Sequence, residues 1–164
     1  ARTGTLGIIQ IITFILSGII ILKWIYRANY NARQLGATGM VFTSGWSIGW
    51  YFIPIANLWK PYQTMKEIWR TSTNLDNDEL KETPSVLISW WTLWIASMFI
   101  SRFAMQMTLK GTVSLDIDQM IIGTVSYIGS DIIEIPLCIV SINMITQIFE
   151  MQKYNNEQIQ VEIK

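Results

Sequence analysis

Two carboxylates interrupt a long hydrophobic stretch near the end of the sequence, and they are the residues best suited to chemistry. Asp131 and Glu134 are the only charged residues between Met120 and Phe149. A carboxylate is costly in a hydrocarbon environment, so such residues usually line a polar path or pair inside a helical bundle. Their three-residue separation places them on one helix face. They are candidates for a cation or proton site; the alternative is a structural role, as a buried pair or in a helix that packs against another subunit.

Two further polar residues occur inside apolar segments. Arg102 is the only charged residue in the apolar stretch 84–108, where it would neutralise a carboxylate or extend its guanidinium to the membrane interface. An antiparallel hairpin about a turn at 109–118 would set it opposite about residue 125. Asn57 lies between two prolines, and we expect it to bond backbone groups that the prolines leave free, with ligand binding as the alternative.

The residue types on which common catalytic and metal sites depend are missing. The 164 residues include no histidine and one cysteine, Cys138. Histidine and cysteine are the main ligands of zinc and haem iron, and histidine is the base of the usual serine and cysteine nucleophiles. We therefore expect a protein that is not an enzyme and that has no cofactor and no bound metal. The formal net charge of zero predicts no nucleic-acid partner.

The polar candidates lie in segments long enough to cross a membrane. Hydrophobic residues make up 51% of the chain and charged residues only 15%, and helices of about 20 apolar residues span a bilayer. The pattern predicts an all-α, multi-pass transmembrane bundle in a single membrane domain, 1–164. Full spans are expected at about 5–23, 84–108 and 119–149. The end of the chain, 154–164, is expected to be frayed, or to pair as a strand with a partner.

A fourth apolar segment, 45–59, is short and irregular. Two glycines and Pro54 weaken a regular helix there. We expect a re-entrant or interfacial segment, with a fourth span as the alternative. Amphipathic helices are predicted at about 24–35 and 61–73, and they suit the membrane surface because each has one apolar face.

The distribution of lysine and arginine indicates the orientation. If 45–59 does not cross, residues 23–84 and the tail hold nine of these cations against two on the other side; if it crosses, the division is seven to four. Cations accumulate in cytoplasmic loops, so we expect 23–84 and the tail in the cytoplasm. All eight tryptophans are expected to be anchors at the membrane interface. They are Trp24, Trp46, Trp50, Trp59, Trp69, Trp90, Trp91 and Trp94.

A dense motif of tryptophan, proline and asparagine carries a resemblance. It reads WIYR, NARQLG, GWSIGWYFIPIANLWKPYQ and KEIWR in chain order. Over roughly residues 20–72 the chain resembles a bacterial family of small multi-pass membrane proteins that is classified only as a domain of unknown function. The resemblance implies the fold and a place in the bacterial cytoplasmic (inner) membrane. It implies no activity.

The sequence is compatible with two functions. The small size, the missing catalytic sets and a stripe of small residues favour a non-catalytic accessory or assembly subunit of a larger membrane complex. The stripe consists of Ser97, Ser101, Ala104 and Thr108. The alternative is a small cation- or proton-coupled transporter or channel that uses Asp131 and Glu134, with 45–59 lining a cavity. The expected partners are the lipid bilayer and other membrane protein subunits.

Overall fold

The computed structural model describes residues 2–73 and 83–162, and all regular structure in these ranges is helical. The predicted all-α fold is confirmed. The predicted polar loop at 74–82 lies outside the described residues. Five α-helices and two short 3₁₀ turns follow one another along the chain. They are α1 (Arg2–Gln34), α2 (Ser44–Gly49), the 3₁₀ turns Trp50–Phe52 and Ala56–Leu58, α3 (Lys60–Thr73), α4 (Ser85–Ser114) and α5 (Ile117–Glu162).

Three of these helices are long and apolar enough to cross a membrane, as predicted. They comprise Gly7–Gln34 of α1, all of α4 and Ile117–Val161 of α5. The 30 residues of α4 rise about 45 Å, against a hydrocarbon thickness of about 30 Å. The segment 45–59 is different, because α2 has only six residues and rises about 9 Å. None of its helical pieces is therefore long enough by itself to cross a membrane.

The turn between α4 and α5 is tighter than the expected loop at 109–118. Leu115 adopts a left-handed conformation with φ of 53°, and the backbone N–H of Asp116 donates to the Gly111 carbonyl at 3.0 Å. The Asp116 carboxylate then accepts from the backbone N–H of Gln119 at 3.2 Å, which caps the start of α5. These two caps let α4 continue to Ser114 and α5 begin at Ile117.

The end of the chain is helical to Glu162, so the expectation of a frayed end or a strand is wrong over that range. Side-chain amides on α5 explain the order. Gln152 donates to the Ala28 carbonyl at 2.8 Å and to the Ser72 hydroxyl at 3.0 Å. Asn155 donates to the Ser72 carbonyl at 2.8 Å. These bonds connect the last turns of α5 to α1 and α3.

The described residues form two compact units. The first contains α1 to α3 with α5 from Ile148 onward, and its core is formed by the apolar faces of α1 and α3. The buried residues of these faces are Ile25, Ala28, Ala32, Met65, Ile68 and Trp69. The helices expected to lie on the membrane surface thus bury these faces within the protein, and the one predicted at 24–35 is the continuous end of α1.

The second unit contains α4 and α5 up to Gln147, packed as an antiparallel hairpin. The small-residue stripe of α4 is the face that contacts α5, where short side chains allow two helices to approach closely. Four contacts define the register. They join Gly111 to Met120, Thr108 to Gly123, Ser101 to Ser130 and Ser97 to Glu134.

Gly123 tests this close approach, with Gly129 as a matched control. A Cβ at Gly123 would lie 2.9 Å from the Thr108 backbone nitrogen, whereas a Cβ at Gly129 would meet nothing within 4 Å. We expect Gly123→Ala to lower the free energy of unfolding by about 1–3 kcal/mol, because the helices must separate. Gly129→Ala should leave it unchanged or slightly higher. Thermal melting of both variants in one detergent checks this, and equal melting temperatures would contradict the packing.

Candidate functional site

Glu134 lies where α4 and α5 contact each other, near the middle of the apolar stretch 120–149. We call this line of contacts, from Gly111 and Met120 to Ser97 and Glu134, the hairpin seam. Its carboxylate accepts a long hydrogen bond of 3.4 Å from the Ser97 hydroxyl, and the side chain is otherwise exposed. Sixteen residues separate it from Asp118 on one side and from Glu150 on the other, or about 24 Å of helix in each direction. An apolar slab about 30 Å thick centred between Asp118 and Glu150 would therefore hold Glu134 at its middle.

A second polar contact lies one turn away in the same seam. The hydroxyls of Ser101 and Ser130 are 2.6 Å apart, and Ser130 is buried while Ser101 is half-buried. Each hydroxyl has a partner from the opposite helix, so neither is left unbonded at a depth where lipid offers no hydrogen bond. The seam thus contains two successive hydrogen-bonded pairs between α4 and α5, which we call its polar rungs. They are Ser97 with Glu134 and Ser101 with Ser130.

Asp131 and Arg102 are brought neither to each other nor to Glu134. Both side chains are exposed, and within the described ranges neither forms an ion pair or a hydrogen bond. The contact between Ser101 and Ser130 sets Arg102 level with Gly129, not with residue 125 as the looser hairpin implied. The register differs because α4 continues to Ser114.

Asn57 does not have the expected role for its side chain. It lies in the second 3₁₀ turn, and its backbone N–H, not its amide, donates to the Ile53 carbonyl at 2.8 Å. That carbonyl precedes Pro54, so the backbone itself satisfies a group next to the proline. The Asn57 side-chain oxygen is buried and has no hydrogen-bond partner among the described residues.

The tryptophans differ in their surroundings. Trp69 and Trp90 are buried at 8% and 7% exposure, whereas Trp46 and Trp59 are exposed at 51% and 45%. The others are half-buried. They are Trp24, Trp50, Trp91 and Trp94. The role of interface anchor suits Trp46 and Trp59 best, because their rings are available to lipid headgroups.

A buried polar network in the first unit was not anticipated. Asn29 is fully buried and its amide nitrogen donates to the Phe42 carbonyl at 3.1 Å. Its side-chain oxygen accepts from the Ser44 hydroxyl at 2.9 Å and from Arg33 Nε at 3.2 Å. Arg33 also donates to the carbonyls of Phe42 at 2.7 Å and Met40 at 3.3 Å.

Glu67 completes the network from α3. Its carboxylate accepts from the backbone N–H groups of Val41 at 2.5 Å and Phe42 at 3.1 Å. The loop before α2 therefore has carbonyls bonded to Arg33 and amides bonded to Glu67. Helical periodicity places Glu67 on the polar face of α3, yet only 9% of it is exposed. The one signal in the sequence is that Arg33 and Glu67 belong to the family motif.

The described residues offer no obvious metal site. No three carboxylate or thiol side chains come together within these ranges, and Cys138 is exposed on α5. The chemistry that the arrangement can supply is proton exchange or cation contact at a carboxylate. That chemistry would use Glu134 or Asp131, at the depth where a neighbouring helix or a water path must stabilise charge.

Replacement of Glu67 tests the network. Glu67→Ala leaves the part-buried N–H groups of Val41 and Phe42 without their acceptor, so we expect a loss of about 1–3 kcal/mol in the free energy of unfolding. Glu67→Gln keeps one side-chain oxygen and should lose less. Glu150→Ala is the control, because that carboxylate is exposed. Melting temperatures in one detergent give the comparison, and a Glu67→Ala variant as stable as the control would refute the network's role.

The family comparison agrees with the sequence motif and extends it. The chain matches the domain of unknown function DUF4328 over residues 1–150, which includes all three long apolar helices in whole or in large part. No curated protein and no solved structure matches the chain. The motif at 20–72 is therefore part of a similarity that covers most of the sequence, and the chain belongs to the DUF4328 family.

Proposed function

We propose that this chain is a non-catalytic accessory or assembly subunit of a larger membrane complex. One observation carries the proposal: Glu134 is exposed near the middle of a spanning helix and has only a 3.4 Å contact with Ser97. A central intramembrane carboxylate costs about 3 kcal/mol on insertion scales. A polar or basic group from a neighbouring subunit would offset that cost, since lipid provides no such group.

The surfaces of the spanning helices leave room for neighbours. Only 6% of the apolar window of α1 is buried by this chain, against 17% for α4 and 11% for α5. Helices in membranes associate through van der Waals packing and polar contacts. The spanning part of α1 therefore has nearly its whole surface available to lipid or to another subunit.

The alternative function is a small cation- or proton-coupled transporter or channel. It is favoured by the two polar rungs of the seam, because hydroxyls and a carboxylate in line at membrane depth could pass a proton or contact a cation. In that case Glu134 would be the coupling residue. Glu134→Gln would then abolish ion movement into proteoliposomes without changing the composition of the purified protein.

We also propose the bacterial inner membrane as the location, with three spans and a cytoplasmic side that contains 23–84 and the tail. With no helix in 45–59 long enough to cross, the nine-to-two distribution of cations supports this orientation. Exposed apolar side chains in that segment would then lie against the cytoplasmic face of the membrane. They include Trp46, Phe52, Ile53, Ile55, Leu58 and Trp59.

Native mass spectrometry of the chain, purified in gentle detergent from its own host membrane, tests the accessory role. We expect a stoichiometric second protein whose mass is not a multiple of this chain. Glu134→Gln should release that protein, whereas Glu150→Gln, a matched change outside the apolar region, should not. If both wild type and variant contain only copies of this chain, the accessory role is wrong. Ion movement that depends on Glu134 would then support the transporter.

Cysteine labelling tests the orientation in a Cys138→Ser background. In intact cells an impermeant maleimide should label Leu115→Cys, which lies at the turn between α4 and α5. It should miss Asn31→Cys and Asn156→Cys until the membrane is permeabilised. Asn31 and Asn156 are exposed on the surface of the first unit, so access is limited only by the membrane. Labelling of Asn31→Cys in intact cells would overturn the proposed orientation.

A further inference from the structure

Arg102 and Asp131 lie on the same side of the α4–α5 hairpin. Each follows one of the hydrogen-bonded serines, Ser101 and Ser130, by a single residue. One residue turns a right-handed helix by about 100°. The two antiparallel helices are related by a twofold axis perpendicular to the plane that contains them. This axis exchanges Ser101 with Ser130 and, because it preserves the N-to-C direction of each helix, it also exchanges Arg102 with Asp131. Both side chains therefore lie on the same face of the hairpin. We call this face, defined by Arg102 and Asp131, the charged face.

The two charges also lie at nearly the same depth. Ser101 and Ser130 are level because their hydroxyls are 2.6 Å apart. The step from Ser101 to Arg102 moves about 1.5 Å toward the turn, and the step from Ser130 to Asp131 moves the same distance away from it. The difference of about 3 Å is within the reach of an arginine side chain.

The charges are not satisfied within the chain. Both side chains are exposed, and neither has an ion-pair or hydrogen-bond partner in the described part of the chain. Packed helices have axes about 8–10 Å apart, and each of the two residues lies about 100° around its helix from the contact between Ser101 and Ser130. Arg102 and Asp131 would both be satisfied by a partner that places a carboxylate opposite the arginine and a cation opposite the aspartate, at the same depth.

We infer that a second copy of this chain packs on the charged face. A twofold axis along the membrane normal, between two hairpins placed face to face, sets α4 of each copy against α5 of the other. Arg102 of each copy then meets Asp131 of the other at a depth difference of about 3 Å. Such an interface is isologous, because the same patch serves both copies, and its two ion pairs remove four unpaired charges from lipid.

This dimer is independent of the proposed accessory role. It uses Arg102 and Asp131, whereas the accessory role rests on Glu134. A dimer with no second protein would contradict the accessory role alone. A second protein bound to a monomeric chain would contradict the dimer alone.

Complementation between charge-reversed copies tests the inference. Arg102→Asp and Asp131→Arg each place like charges opposite one another in a dimer of identical copies. When one copy carries Arg102→Asp and the other Asp131→Arg, both pairs become opposite again. Within any single variant chain the like charges remain. Rescue by mixing therefore reports contact between copies only.

The readout is co-purification of two differently tagged copies from co-expressing cells. Each reversed variant alone should lose co-purification by about tenfold or more, because repulsion replaces an attractive buried pair. The mixed variants should recover most of the wild-type level. Lys110→Asp reverses a charge on the same helix nearer the turn and should change little. Recovery only when both reversals are in one chain would show an intrachain pair and overturn the ion pairs between copies.

Disulfide formation gives a second test that needs no charge reversal. In a Cys138→Ser background, Met105→Cys with Ile128→Cys lies one turn from the charged pair on the same face, with the same small depth difference. Oxidation in the membrane should give a covalent dimer that reductant reverses. The control is Phe103→Cys with Ser126→Cys, which lies on the opposite face with the same depth difference of about 3 Å and should not form a dimer. A wild-type chain without co-purification, or a crosslink only from the opposite face, overturns the inference.

Discussion

The close approach of α4 and α5 at Gly123 determines how Arg102, Asp131 and Glu134 lie relative to one another. Because Gly123 has no side chain, the backbone of α5 passes within van der Waals distance of Thr108. That contact and the tight turn at Leu115 define the antiparallel register. The register in turn sets Glu134 beside Ser97 and sets Arg102 and Asp131 on one face. A larger residue at position 123 would disturb this register, because a Cβ there would lie 2.9 Å from the Thr108 backbone nitrogen.

Lipid imposes a second constraint, because it cannot hydrogen-bond to the chain. Ser101 and Ser130 of the seam satisfy their hydroxyl groups by hydrogen-bonding to each other across the hairpin. The carboxylate of Glu134 has one long hydrogen bond, from Ser97. Arg102 and Asp131 have no hydrogen-bond or ion-pair partner within the described residues. The hairpin is therefore well packed yet electrostatically incomplete, and both the accessory role and the dimer address that incompleteness through protein contacts.

The first unit solves a related problem for an irregular loop. The loop before α2 turns its carbonyl groups toward Arg33 and its amides toward Glu67, so two charged side chains of opposite sign replace water as its partners. Asn29 adds donors and an acceptor at the centre. Buried polar groups of this kind stabilise only when every member is bonded. This explains why Glu67, a polar residue of the family motif, is buried although helical periodicity assigns it to a solvent face.

The sequence by itself determined the all-helical class, the three long apolar helices, the broken segment at 45–59 and the family. These features depend on local composition and on chain length against bilayer thickness, which a linear pattern records directly. Only the tertiary structure decided the helix ends at Ser114 and Glu162, the pairing of Arg33 and Glu67 with one loop, and the level of Arg102 relative to α5. Those depend on backbone approach and on hydrogen bonds between residues distant in the chain, together with the local caps of the turn after Ser114. One glycine contact and one left-handed residue displaced the register by about a helical turn, and no periodicity in the sequence encodes that shift.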